Sequence, residues 1–229
     1  MLSQTMVNRA TSEHHKARVG HQLPVASHAL AGQIEMMGAA MPFGRNTEIY
    51  GENEKAEYLY KVLSGSVRTY KVLNDGRRQI GAFYLPGDLF GLEVGEVHAF
   101  SAEAVSDCKV LVIKRSALTN LAERDPEVAR RLWNMTAREL QRAQNHIMLL
   151  IKTAQERVAG FLLEMSTRSA HLNEIDLPMS RQDIADYLGL TIETVSRTLT
   201  QLENAAAIAV PSSRHIVLRN RGALSRLNS

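Results

Sequence analysis

The chain has 229 residues, and its 27 Lys and Arg against 24 Asp and Glu leave a net charge of +3, too small by itself to argue for nucleic acid. With 45% apolar and 22% charged residues it has the composition of an ordinary globular protein, enough for one large domain or two modest ones. A single cysteine, Cys108, excludes a disulfide framework and any four-cysteine zinc or iron–sulfur site within the chain. The longest apolar runs, 110–113 and 147–151, fall far short of the ~20 residues of a membrane helix, and residues 1–21 contain no signal-peptide core. A cytoplasmic protein with no membrane association is expected.

Residues 1–30 are polar and aperiodic and read as a flexible arm. His14, His15 and His21 crowd there, but no carboxylate or cysteine is spaced to complete a metal site. From about Glu48 to Ile113 the chain turns to short alternating runs broken by Gly, Asp and Asn. Tyr58 to Leu63 and Val67 to Val72 read as strands. Asn74-Asp75-Gly76 signals a hairpin, because Asp and Gly tolerate the positive φ of a tight turn. Gln79 to Leu85 is the return strand and Lys109 to Ile113 a last one. The spacing predicts a β-roll or jelly roll over 31–125.

Pro126 suits a first helical turn, and Asp125 before it is a good N-cap. No Gly or Pro follows through residue 154, so a long helix is expected over 126–153. Ala129, Trp133, Thr136, Leu140, Ala143, Ile147, Leu150 and Ala154 alternate spacings of four and three, the pattern of a coiled-coil seam. Leu132, Met135 and Leu149 lie beside it and could cover the β-roll. Two apolar stripes want two partners: the chain's own domain and a second copy of the helix. Packing within a monomer is the alternative. The expected dimer interface is Trp133, Thr136, Leu140, Ala143, Ile147 and Leu150.

A composition shift follows. Lys152 is the last lysine and no acid follows Glu203, so Arg214, Arg219, Arg221 and Arg226 form an unopposed cationic tail. A small domain is expected over 154–229. Within it, Ser180 is an N-cap with Asp183 as its capping-box partner, Ile184 and Leu188 share an apolar face, and Gly189 permits a sharp turn. Val195 then packs a second helix on the first. This is a helix-turn-helix, whose second helix enters the major groove.

On that second helix, at about 100° per residue, Ile192, Val195, Leu199 and Leu202 share an arc of about 80°. Glu193, Ser196, Arg197 and Thr200 share another of about 100°, centred about 130° away. Arg can pair with guanine N7 and O6, and Glu can accept from a cytosine amino group. Glu193, Ser196 and Arg197 are therefore the expected base readers. Glu193 and Arg197 stand four apart and could instead form a surface ion pair. Arg181, Gln182, Thr191 and Thr194 sit at helix termini near the DNA backbone, as expected phosphate contacts. Residues 207–218 read as a two-stranded wing with Arg214 at its tip, reaching a further phosphate.

The order of β-roll, long helix and winged helix-turn-helix, an α+β architecture, resembles the CRP/FNR family of bacterial transcription regulators, and most closely its FixK-type members. Gly65, Asp75-Gly76, Gly87-Asp88 and Gly91 match the family's β-roll positions. Arg181-Gln182 and Glu193-x-x-Ser196-Arg197 match its DNA-reading segment, with Ser before Arg197 as in the FNR and FixK variants. The resemblance implies a homodimer on a TTGAT-N4-ATCAA-like palindrome, mainly as an activator touching RNA polymerase, and no enzymatic activity.

The sensor side departs from the cyclic-AMP receptors. Leu92 stands where they have a Glu for the ribose, His98-Ala99 where an Arg-Ser pair holds the phosphate, and Ala143 where a Thr meets the adenine. A phosphate without Arg would be poorly held. The arm lacks the cysteine cluster of oxygen-sensing FNR proteins, and only His98 lies between His28 and His146 for a haem. Cys108 reads as a core thiol. No cofactor is expected, which agrees with FixK-type proteins, whose level is set by an upstream oxygen-responsive system in microaerobic, anaerobic and nitrogen-fixation regulation. One alternative is a regulator gated by an unidentified effector in the β-roll. A remoter one is a cupin-type metalloenzyme, whose cluster of His and Glu this chain does not supply.

Overall fold

A computed structural model describes residues 36–169 and 171–228. The arm expected over 1–30, with its three histidines, lies outside them. Eight strands come first: Gly38–Phe43 (β1), Glu48–Tyr50 (β2), Tyr58–Ser64 (β3), Val67–Val72 (β4), Arg78–Tyr84 (β5), Leu89–Phe90 (β6), Ser101–Ala104 (β7) and Cys108–Lys114 (β8). They form two four-stranded antiparallel sheets, ordered β1-β8-β3-β6 and β2-β7-β4-β5. Val62, Val67, Phe90, Ala102, Ala104 and Val110 fill the space between them, with Cys108 among them. The expected hairpin joins β4 to β5, closed by the Leu73 N–H on the Arg77 carbonyl at 2.8 Å, with Gly76 at φ +82°. Gly65 turns β3 into β4 at φ +75°, and a Cβ there would stand 2.3 Å from the Asp107 carbonyl oxygen, so only glycine fits.

The helices are Arg115–Arg124 (α1), Pro126–Leu150 (α2), Ala154–Arg168 (α3), Arg181–Leu188 (α4), Ile192–Asn204 (α5) and Arg221–Leu227 (α6). α1, which the sequence reading missed, continues directly from β8. Asp125 separates it from α2: its N–H donates to the Leu121 carbonyl, while its carboxylate accepts from the Glu127 N–H at 2.9 Å. Val128 and Leu132 of α2 pack on Leu59, Ile113 and Leu118, which ties the long helix to the β-roll. Leu149 does not cover the β-roll. It belongs to the core of the C-terminal half, where Gly160 leaves room for it.

α2 also ends at Leu150, earlier than the expected 153. Thr153 is the N-cap of α3, accepting from the Glu156 N–H while Glu156 reaches back to the Thr153 N–H at 2.6 Å. The residues between serve as a joint. The C-terminal half adds strands Glu174–Asp176 (β9), Ile208–Ala209 (β10) and His215–Leu218 (β11), ordered β10-β11-β9. The wing is therefore three-stranded; β9 escaped notice because only Ile175 of its three residues is apolar and buried. One apolar cluster runs through this half and into the β-roll, joining Phe161, Tyr187 and Leu188 to Ile80, Phe83 and Val105.

Candidate nucleic-acid interface

The helix-turn-helix is built by local chemistry. The Ser180 hydroxyl accepts from the Asp183 N–H at 3.1 Å and Asp183 accepts from the Ser180 N–H at 3.0 Å, completing the expected capping box of α4. Gly189 ends α4 at φ +62°, a left-handed C-cap that glycine adopts without strain. Arg157 of α3 fixes the turn from outside, donating to the Leu188 carbonyl at 2.8 Å, the Gly189 carbonyl at 3.4 Å and the Lys152 carbonyl at 2.8 Å. Sequence reading did not find this clasp, because an arginine 31 residues from its partner leaves no local pattern.

α5 starts at the Thr191 N-cap, whose hydroxyl accepts from the Thr194 N–H at 3.2 Å. Val195, Thr198, Leu199 and Leu202 are buried. Ile192, expected in the core, is 37% exposed, and Thr198 takes its place. The buried arc is thus centred about 70° from Ile192 and about 160° from the polar arc, so the two faces are more nearly opposed than expected.

Glu193, Arg197 and Thr200 are exposed on that polar arc, with Ser196 half-buried between them. Its own backbone N–H, the Thr191 hydroxyl and the charge of Arg197 hold the Glu193 carboxyl below the usual carboxylate range. It is therefore an anion and an acceptor at neutral pH. Among the described residues no ion pair joins Glu193 to Arg197, which leaves both side chains available.

The expected phosphate contacts are not all disposed alike. Thr191 is exposed and Thr194 half-buried, both at the N-terminus of α5, where backbone N–H groups favour anions. Arg181 crosses to α5 and donates to the Ser196 Oγ at 3.3 Å, with its Nε buried and unpartnered. Gln182 is exposed and donates to Asp186 at 2.6 Å. Arg214 leans back on the Pro178 carbonyl at 3.2 Å instead of standing free at the wing tip.

The residues expected at the dimer seam lie along α2. Trp133, Leu140 and Ile147 are 74%, 59% and 62% exposed, and Thr136 and Ala143 are exposed beside them. Leu150 is half-buried toward Gly189, and the neighbouring Ile151 is exposed in its stead. The stripe is thus open along its length and bends by one residue at its end.

Between α2, the β-roll and α4 lies a cavity of about 390 Å³, bordered by Gly91, Leu92, Ala143, His146 and Tyr187 among others. Its two cations are already engaged: Asp88 pairs with Arg168 at 2.5 Å and with Arg142 at 3.3 Å. His146 stacks on Tyr187 with ring centroids 4.0 Å apart, and burial lowers its pKa to about 4, so it is neutral. His98 is buried and stacks on Tyr50 at 3.6 Å. Burial raises the Cys108 thiol pKa, with Asp107 adding to the effect. Among the described residues no group of three or more His, Cys, Asp or Glu could hold a metal ion, and no helix is long and apolar enough to cross a membrane.

The sequence matches two domain families: the cyclic nucleotide-binding domain over residues 40–125 and the Crp-like helix-turn-helix domain over residues 156–227. The nitrogen fixation regulation protein FixK of Azorhizobium caulinodans is 55% identical over 202 residues, 86% of this chain and 82% of the relative. The protein of the same name from Bradyrhizobium diazoefficiens is 43% identical, over 78% of this chain and 77% of its own. Among solved structures, FixK2 of Bradyrhizobium japonicum superposes with a TM-score of 0.80 at 54% identity, over 84% of this chain and 98% of that one.

Proposed function

The chain belongs to the CRP/FNR family of transcription regulators, in its FixK-type branch, and is a DNA-binding regulator and not an enzyme; from that premise we propose how it reads DNA. Two chains pair along the exposed stripe of α2, which sets their reading helices one DNA turn apart, at roughly 34–36 Å. Glu193, Ser196 and Arg197 read each half-site of a TTGAT-N4-ATCAA-like palindrome. Arg181, Gln182, Thr191, Thr194 and Arg214 meet phosphates, which orient the protein without specifying sequence. Exposed β-roll loops contact RNA polymerase, mainly to activate. The target genes in this reading are those of nitrogen fixation and of microaerobic or anaerobic metabolism, which the names of the nitrogen fixation regulation relatives support.

The observation that carries this reading is the exposure of Glu193 and Arg197 on a helix whose opposite face is fully engaged in the core. Arg181 and Gln182 do not have to be free in the DNA-free chain: the Gln182 bond to Asp186 is exposed and the Arg181 bond to Ser196, part-buried, is long at 3.3 Å, and each can be exchanged for a phosphate oxygen. Turning outward would also give the Arg181 Nε, buried and unpartnered in the DNA-free chain, an acceptor.

Binding without cyclic AMP is part of the proposal. Leu92 and Ala143 offer the cavity no polar group, and its two arginines are already paired, Arg142 with Asp88 and Glu139 and Arg168 with Asp88 and Glu164, so a cyclic phosphate finds no free cation. The cavity itself favours one second reading, an apolar effector that gates the regulator from this space. The test is fluorescence anisotropy of purified protein on the TTGAT-type palindrome and on one with TGTGA half-sites, at fixed salt, with and without cyclic AMP or cell extract. Tight, cyclic AMP-independent binding to the first alone is expected. Binding that appears only with extract supports the gated reading, and equal binding to both palindromes overturns the readout.

A further inference from the structure

The HTH carries a second set of charges, on the face turned away from DNA. Arg68 on β4 and Arg78 on β5 both donate to Asp183 Oδ1 on α4, at 2.9 and 2.7 Å. Arg78 also donates through Nε to Asp186 Oδ2 at 2.7 Å, and the other arm of Arg68 pairs with Glu103 on β7 at 2.5 Å. Beside them the Gln79 side chain donates to the Tyr187 carbonyl at 3.2 Å, and Phe83 packs against the Tyr187 ring at 5.2 Å. Arg68 and Asp183 are buried, at 7% and 4% exposure.

Asp183 is thereby used twice. Its Oδ2 closes the capping box of α4, accepting from the Ser180 N–H at 3.0 Å and also from the Ser180 hydroxyl at 2.8 Å, while its Oδ1 takes both arginines. A cap residue is rigidly tied to its helix, so a guanidinium that grips it grips the helix axis. Desolvation offsets most of the Coulomb gain of such a cluster, and an apolar contact of similar area would stabilise the junction as well. What an apolar contact cannot do is select one angle, since rings slide over one another. A forked donor between two carboxylates has a single satisfactory geometry.

From this arrangement we infer that Arg68 and Arg78 are positioning residues, which fix the tilt of the helix-turn-helix on the β-roll and so the half-site spacing that the dimer accepts, with no effector required. The inference rests on the dimeric palindrome reading proposed above. α4 and α5 move as one body, through the clasped Gly189 turn and the burial of Val195. α2 moves with the β-roll, through Val128 and Leu132. Between the two bodies the chain runs through only the joint at 151–153, and two directional ties cross it: Arg168 of α3 on Asp88 and the Phe83 carbonyl, and the Arg68–Arg78 cluster, which alone of the two grips α4 itself. It sets where each reading helix stands relative to the seam.

The test uses the full chain on palindromes with identical half-sites separated by three, four, five or six base pairs, followed by anisotropy at fixed salt. Arg78 is the side chain to change, because removing the more deeply buried Arg68 would leave Glu103 without its cation. Wild type should prefer one spacing by about tenfold or more, since each extra base pair rotates the half-site by about a tenth of a turn. Arg78→Ala and Asp186→Asn should each flatten that preference to within about threefold, the double variant adding little, because the residues act as one unit. Arg78→Lys, a point charge without the fork, should fall between. The ranking of base variants within a half-site should not change.

A spacing profile like that of wild type in Arg78→Ala overturns the inference. So does a uniform loss at every spacing with the profile unchanged, which is the signature of mere destabilisation. Should wild type bind none of these palindromes, the dimer reading itself falls and this inference with it, a failure recognised because it precedes any substitution.

Discussion

α2 and α5 are both amphipathic, yet they dispose of their apolar faces in opposite ways. α5 buries Val195, Leu199 and Leu202 inside its own chain and turns its polar side outward. α2 engages one apolar edge with the β-roll and leaves Trp133, Leu140 and Ile147 in solvent. A helix whose apolar side is satisfied internally is free to present hydrogen-bonding groups to a ligand. A helix whose apolar side is not satisfied has a site still to be filled, and each large side chain covered there would contribute about 1.5–3 kcal/mol. In the proposed assembly the first helix supplies chemistry and the second supplies geometry.

The sharpest way to break this contrast is Ile147→Lys. If the stripe is a seam, a lysine there is buried against its two-fold mate, costing about 3–5 kcal/mol and abolishing tight palindrome binding. Analytical ultracentrifugation should show monomers, and a monomer that still binds normally would refute the seam. Arg197→Ala should leave the dimer intact and cost about 1–3 kcal/mol on the cognate palindrome, flattening discrimination at one guanine. Base-variant titrations decide it, because a merely electrostatic arginine would weaken all sequences alike. Thr191→Ala removes the α5 cap and should lower stability by about 1 kcal/mol in urea unfolding, with Thr191→Ser retaining most of it.

The smallest effect is a pH dependence of the junction. The folded His146 pKa, about 4, lies below the unfolded value near 6.5. The unfolded chain therefore binds the proton first, and the neutral-pH stability is lost as pH falls from about 6.5 toward 4. Partial exposure screens this, leaving about 1 kcal/mol by pH 5. His146→Gln should flatten that part of the stability profile; an unchanged slope would assign it to other groups.

Legibility in the sequence followed the range of the interactions. The Ser180–Asp183 box, the Asp125-Pro126 helix start and the Asn74-Asp75-Gly76 hairpin are set within a few residues, and each was readable. β1 carries Pro42, β6 is two residues long, and the Ser-Ala-Glu-Ala of β7 has no β-branched residue, so these strands exist only by pairing with distant partners. The residues proposed to face DNA lie in one contiguous motif, and the proposal could be made from that motif alone. The contacts around them could not be read from it: the turn of Arg181 to Ser196, the retreat of Arg214 to Pro178 and the arginines on Asp183 all depend on tertiary contacts.

The apolar cluster that runs from Phe161 and Tyr187 into Ile80 and Phe83 has a practical consequence. A fragment cut at the joint would carry a freshly wetted aromatic surface, and so would the β-roll left behind. Calorimetry of the intact chain should record one endotherm instead of two, and the excised DNA-binding half should prove sticky and poorly soluble.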